Sequence, residues 1–185
     1  MGKNILVMTG SPRRHGNSDL LADAFIRGAE TSGHITEKYE TAFTKISGCR
    51  ACDTCWKKGV PCSVNDDFNE KFVPQLRWAD ALVLCMPLYF YGFPSGVQAT
   101  IEKIYSFLGE NSPIKLKISK AALLMCGGEK EMEIFSGAVA TYQQLCKGMG
   151  WKDQGMVLAP GILEKGVIMG TVYLEQAEAL GRKFV

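Results

Sequence analysis

At 185 residues, with 46% hydrophobic and 22% charged side chains, the chain is sized for one domain with a substantial buried core. Its formal net charge of +2 offers no general field for holding nucleic acid or an anionic membrane; the pairs Arg13-Arg14 and Lys57-Lys58 are read as solvated surface. No apolar run approaches the ~20 residues of a membrane helix. Ile5–Met8 is too short for a signal peptide, and Leu6 stands where a myristoylated chain carries Ser or Thr. A cytoplasmic protein is expected, and in that compartment seven cysteines, an odd number, argue against a disulfide scaffold.

Taken in chain order, the first element is an apolar strand, residues 4–8, followed by the loop TGSPRRHGNS. A helix comes next, with Leu20, Leu21, Ala24, Phe25 and Gly28 along one face. Residues 34–39 supply a second strand. The stretch CRACDTCWKKGVPC then places four of the seven cysteines between positions 49 and 62. A third strand, 81–86, leads through PLYFYGFPS into a helix carrying Val97, Ile101, Ile104 and Leu108. A fourth, 121–126, leads through Gly127-Gly128 into a helix over 131–149. Residues 156–159 form a fifth strand and 171–182 a closing helix.

Runs that are apolar on both faces suit buried parallel strands, and their alternation with helices suits βαβ units. Five strands and about five helices in this length predict an α/β fold: a doubly wound, flavodoxin-like parallel sheet ordered 2-1-3-4-5. The expected organisation is one domain over 1–185 with a cysteine-rich loop at about 45–65. An open sheet of this order binds ligands where the strand order reverses, between the loops after the first and third strands.

The first of those loops holds Ser11, Arg13, Asn17 and Ser18. Short hydrogen-bonding side chains and a cation ahead of a helix N-terminus suit a phosphomonoester dianion. Asn17, Ser18 and Asp19 are expected to precede and cap that helix. Neither G-x-G-x-x-G nor Gly-Lys-Ser/Thr is present, so the loop is not a dinucleotide or Walker A motif. The second loop, Pro87, Leu88, Tyr89, Phe90, Tyr91 and Gly92, sets aromatic rings at the same edge, where they pack on something flat or under a partner chain. Cys126, Gly127 and Gly128 bring bare backbone from a third side. A phosphate at one end and a planar heterocycle at the other describe a mononucleotide, and FMN fits best.

These three loops resemble the NAD(P)H-dependent FMN reductase family, with GSPRRHGNS as its phosphate loop, PLYFYGFPS as its flavin-ring loop and CGG at the third flavin loop. Many relatives carry Asp-Arg where this chain has Glu102-Lys103. The cysteines, followed by Asp66-Asp67, also resemble the iron–sulfur flavoprotein branch, whose motif is C-x2-C-x2-C with a fourth cysteine further on. What the resemblance implies is a homodimer or homotetramer whose aromatic loop is partly covered by a neighbouring subunit.

Four readings remain open for Cys49, Cys52, Cys55 and Cys62. Thiolates at intervals of three can wrap three irons of a [4Fe-4S] cubane, with a fourth closing it, and Lys57-Lys58 would offset its charge. Zinc more often takes two separated pairs. Reduced thiols with Trp56 covering the flavin or an interface, and a disulfide, are the others. Cys85, Cys126 and Cys146 are read as core thiols, Cys126 joining the site through its backbone.

The expected activity is hydride transfer from NAD(P)H, a transient co-substrate, to FMN. Electrons then pass to a quinone, nitro or azo compound, a free flavin, a redox protein or an iron–sulfur centre. Hydride transfer demands no acid–base residue, and none is assigned. An electron carrier with no small-molecule substrate is the alternative; a zinc-stabilised binding protein would leave the three loops unexplained.

Overall fold

The computed structural model describes residues 2–108, 112 and 114–184, so both ends of the expected 1–185 span lie outside the described residues. Strands β1 (Asn4–Thr9), β2 (Ile35–Glu40), β3 (Ala81–Pro87), β4 (Lys120–Cys126) and β5 (Lys152–Ala159) form one sheet ordered β2-β1-β3-β4-β5. Every pair is parallel, with Met8 opposite Tyr39 on one side and Leu84 on the other. This is the flavodoxin-like arrangement that the strand–helix alternation predicts.

Side chains alternate across each strand, and here both faces are apolar. Leu6, Met8, Leu82, Leu84, Leu123 and Met125 face α3 (Val73–Trp78), α4 (Ser95–Lys103) and α5 (Ser136–Met149). Ile5, Val7, Val83, Cys85, Leu124 and Cys126 face α1 (Asn17–Thr31) and α6 (Val172–Lys183). Each such fully buried aliphatic side chain contributes about 1.5–3 kcal/mol. A short helix, α2 (Thr54–Lys58), lies within the cysteine loop.

The structure differs from the sequence pattern in four places. β5 begins at Lys152 rather than 156, because the edge strand opens on exposed polar residues and carries a register shift opposite Ala121–Leu123. The helix expected over 131–149 starts as a 3-10 turn, Met132–Phe135, which tucks Ile134 and Phe135 beneath Gly127. The one expected from Val97 to Leu108 ends at Lys103 and continues as a 3-10 turn, Ile104–Phe107. A segment not anticipated, a π-helical turn Phe68–Phe72 running into α3, buries Phe68, Phe72 and Leu76; Pro74, near the start of α3, masks that periodicity.

Helices α1 and α6 cross with their backbones nearly in contact. A Cβ at Gly28 would run into the Glu178 carbonyl, and one at Gly181 into the Phe25 carbonyl. Alanine ordinarily improves a helix interior by about 0.5–1 kcal/mol over glycine, but here the overpacking acts against rigid backbone. Gly181→Ala is expected to lower the unfolding free energy by about 1–3 kcal/mol, read from urea denaturation. An unchanged or raised midpoint would show that the two helices separate freely.

Candidate functional site

The loops after β1, β3 and β4 meet at the carboxyl edge of the sheet. Arg13 and Asn17, Pro87 to Tyr89, and Cys126 to Gly128 line one crevice of about 130 Å³, closed by Ile162 and Leu163. It adjoins a groove of about 400 Å³ bounded by Leu88, Phe90, Tyr91, Gly128 and Glu129. The expected convergence of three loops is therefore present, with a fourth loop, after β5, that sequence reasoning did not include.

In the first loop the expected caps are displaced by one step. Gly16 takes the N-cap position, and Asn17, Ser18 and Asp19 form the first turn of α1, buried rather than ahead of it. Glycine is required there, since a Cβ would lie 2.8 Å from the Arg13 carbonyl. Asn17 turns away from the loop: its Nδ2 donates to the Glu164 carbonyl at 2.7 Å, and its Oδ1 accepts the Gly166 N–H at 2.8 Å. The Ser18 hydroxyl and amide face the Cys126 thiol. Ser11 Oγ accepts the Arg13 N–H at 3.1 Å. Arg14 lies over the Phe43 ring at 4.4 Å, and Arg13 reaches the crevice. His15 is exposed, with a left-handed φ of 54°.

An anion at this helix start would meet the carboxylate of Asp19, which lies with His15 and Asp23 in a group spanning less than 4.8 Å. Lys38 supplies the compensating cation, bonding both Asp19 and Asp23. Burial disfavours that ammonium, yet the two carboxylates outweigh it and raise its pKa. The positive end of the helix dipole thus remains available to an anion.

The aromatic loop is a tight hairpin. Tyr89 and Gly92 exchange both backbone hydrogen bonds, at 3.1 and 3.0 Å, and the two central residues, Phe90 and Tyr91, have φ of 47° and 65°. Two successive positive φ values mark a type I′ turn, where Asn-Gly is the ordinary choice. Phe-Tyr in its place is strained, by about 1–3 kcal/mol per residue. Phe90 is 98% exposed and Tyr91 54%, so these rings project from the turn rather than pack beneath it.

Backbone bonds lace the remaining loops together. Leu88 N–H donates to the Cys126 carbonyl at 2.7 Å, Gly127 N–H to Ala159 at 3.0 Å, and Ile162 N–H to Gly127 at 2.7 Å. Among the described residues, the amides of Phe90, Tyr91 and Gly128 make no internal hydrogen bond and remain as donors at the crevice. Cys126 is buried, and burial pushes its thiol up to about 12, so it contributes backbone rather than a thiolate. Cationic side chain, helix start, free amides and aromatic wall together fit a flavin mononucleotide.

The four clustered cysteines line one small cavity with Glu102 and Lys103. Ala51 and Asp53, which separate the first three, hold φ of 50° and 52°. N–H groups approach the sulphurs, Ala51 to Cys49 Sγ and Val64 to Cys62 Sγ, each at 3.4 Å. Four thiols around one cavity suit a metal centre, either a tetrahedral zinc with ~2.3 Å bonds or a polynuclear centre with each thiolate on a different iron. Trp56 packs tilted against Tyr105, ring centroids 5.8 Å apart, beside this cavity and does not line the crevice.

Two consecutive residues at the end of α4 anchor the loop. Glu102 accepts the Cys49 N–H at 3.1 Å, and the buried Lys103 bonds Asp66. Burial alone would raise the Asp66 carboxyl, but bonds from Lys103, Ser47 and Phe68 hold it below the ordinary value. Lys57 and Lys58, expected to offset charge at the cysteines, are exposed, with Lys58 in a neighbouring groove beside Cys62, and the cavity wall itself carries Arg50 and Lys103.

The family model described as NADPH-dependent FMN reductase matches residues 3–145. The chain belongs to that family. Its members are FMN-dependent oxidoreductases, and the chain is accordingly a flavoprotein. An iron–sulfur flavoprotein of Archaeoglobus fulgidus is 29% identical over 94% of the chain and 75% of its own length. One from Methanosarcina thermophila is 25% identical over 66% of the chain; the match spans 62% of that relative, less than two thirds of it. Among solved structures, an NAD(P)H:quinone oxidoreductase from Methanothermobacter marburgensis superposes with a TM-score of 0.77 at 18% identity, covering 98% of this chain and 96% of that one. An azoreductase from Bacillus anthracis gives 0.72 at 17% identity, over 98% and 100%. Likeness at such identities concerns the fold. Among the described residues no helix is long and apolar enough to cross a membrane.

Two expectations follow from this geometry. Replacing Phe90-Tyr91 by Asn-Gly relieves two positive-φ side chains and is expected to stabilise the fold by about 1 kcal/mol or more, while weakening FMN binding; tighter binding in a calorimetric titration would deny the hairpin a part in the site. In metal-free protein, hydrogen bonds from Thr54 and Ser63 lower the Cys52 thiol to about 7, whereas burial raises Cys55. The thiolate is the reactive form, so the alkylation rate at Cys52, followed by peptide mass spectrometry, should rise with pH and reach half its maximum near pH 7. A Cys52 midpoint at or above that of Cys55 would contradict the hydrogen bonding described.

Proposed function

We propose that the chain takes reducing equivalents from NAD(P)H and passes them to a planar acceptor, a quinone, a nitro or azo compound or a free flavin, and to an iron–sulfur centre held by Cys49, Cys52, Cys55 and Cys62. The observation that carries this reading is the crevice itself, cationic and fed by a helix start at one end, walled by an exposed aromatic hairpin at the other. The names of the iron–sulfur flavoproteins and of the quinone and azo reductases similar to this chain support it.

FMN held there would supply the hydride acceptor for NAD(P)H and a means of releasing electrons in pairs or singly. Ser11, Arg13 and the amides at the start of α1 would hold its phosphate. Asn17 and Ser18 contribute through position and backbone, since their side chains bind the loop after β5 and the Cys126 thiol. Pro87, Leu88, Tyr89 and Gly92 would shape the ring wall, and the amides of Phe90, Tyr91 and Gly128 would be the donors for the ring's polar edge. A second copy of the chain covers the protruding Phe90, in a homodimer or homotetramer.

Absorption spectra of protein purified without oxygen, with iron and acid-labile sulfide assayed on the same sample, test both cofactors. Flavin bands with NAD(P)H oxidation driven by a quinone are expected. Arg13→Ala should weaken FMN binding about 10–100-fold, the worth of a charged hydrogen bond. Failure of the wild type to take up FMN would sink the reading, and tight FMN binding without NAD(P)H turnover would make the chain an electron carrier instead.

A further inference from the structure

A lysine whose side chain is 1% exposed is rare and costly, since desolvating an ammonium is repaid only by close partners. Lys103 closes α4 from within the wall of the four-cysteine cavity. Its Nζ bonds the Asp66 carboxylate, lies 3.5 Å from Ser47 Oγ and sits 5.6 Å from the centre of the Phe68 ring. Asp66 lies outside the cavity wall and has further donors, the Ser47 N–H and hydroxyl at 3.0 Å each and the Phe68 N–H at 3.1 Å. The carboxylate would be satisfied without the lysine. Lys103 nonetheless belongs to the wall of the cavity that gathers the four thiols, whereas its partner Asp66 does not.

Other charges near the cavity act differently. Arg50 is exposed, so solvent screens it. Glu102 is negative and positions the loop through the Cys49 N–H. Lys57 and Lys58 are solvated. Lys103 is the buried cation of the cavity wall, where a fixed charge acts through a low local dielectric.

Resting on the reading of the four cysteines as ligands of an iron–sulfur centre, we propose that Lys103 sets the reduction potential of that centre. Reduction adds one electron, supplied by FMN that NAD(P)H has reduced, and no proton or bond is exchanged at Lys103. The thiolate-ligated centre becomes one unit more negative. A nearby ammonium stabilises the reduced form more than the oxidised one and raises the potential. Lys103 is in this sense a positioning charge: it acts through the centre and touches neither nicotinamide nor acceptor.

The test is a redox titration followed by electron paramagnetic resonance on anaerobically purified wild type, Lys103→Gln, Lys103→Arg and Asp66→Asn, with iron and sulfide assayed on each. Lys103→Gln should hold full iron yet accept an electron about tenfold less readily, a fall of about 59 mV for one electron. Lys103→Arg should stay near the wild type, and Asp66→Asn, which leaves the cation uncompensated, should shift the potential upward. Equal potentials in iron-replete wild type and Lys103→Gln would overturn the proposal. Should Lys103→Gln lose its iron, the upward shift in Asp66→Asn decides in favour, and no shift or a downward one decides against. Wild-type protein without iron would instead refute the cluster reading on which the proposal rests.

Discussion

All five strands run the same way, and that shared direction governs where chemistry can occur in this molecule. A parallel neighbour is reached only by carrying the chain back across the sheet, so each strand is followed by a helix laid on one face or the other. Both faces are consumed by that packing, and the strands become apolar on both sides. Polar function is left to the loops at the carboxyl edge. There the order β2-β1-β3 sends the chain leaving β1 to one side and the chain leaving β3 to the other, opening the crevice between Arg13 and the aromatic hairpin.

Those loops are held by more than their own sequences. The side chain of Asn17 grips residues 164 and 166, some 149 positions later, while Gly127 bonds both Ala159 and Ile162. The loop after β5 thereby braces the other three. The strained Phe90-Tyr91 turn survives because Tyr89 and Gly92 close it from both sides, and because Leu88 is tied to Cys126. A fold with lower local order at this edge would relax the turn and withdraw the rings.

The sheet, its order and the three principal loops were legible because each depends on a local pattern: apolar runs of strand length, Gly- and Pro-rich punctuation, and helical periodicity. What sequence reasoning missed depends on distant partners. Nothing near Lys38 shows that it will neutralise Asp19, nor near Asn17 that its amide will be spent on the 164–168 segment. Phe68, Phe72 and Leu76 did carry a helical signal, four residues apart, but Pro74 within it reads as a breaker unless the start of the helix is already known. At the cysteines the spacing was legible, whereas the cavity they share with Glu102 and Lys103 was not. The nearest lysines in sequence sit exposed on α2, whereas the buried cation of the cavity wall, Lys103, arrives from α4, far along the chain.

That helix gives the two candidate sites a common mechanical support. Pro94 and Ser95, at the start of α4, end the segment that carries the aromatic hairpin; Glu102 and Lys103, at its close, hold the cysteine loop through the Cys49 amide and Asp66. A nine-residue helix spans about 13 Å at 1.5 Å per residue, and hydrogen-bonded helical backbone changes that length very little. Between its ends, Val97 and Thr100 are fully buried, so α4 cannot slide along the sheet without breaking core contacts. The separation of the hairpin and the cysteines is therefore set by packing beneath α4 rather than by either loop. Substitutions inside the cysteine loop can change what it binds while leaving its distance from the hairpin intact. A core substitution at Val97, whose side chain packs against Gly10 of the first loop, would alter the relation between them.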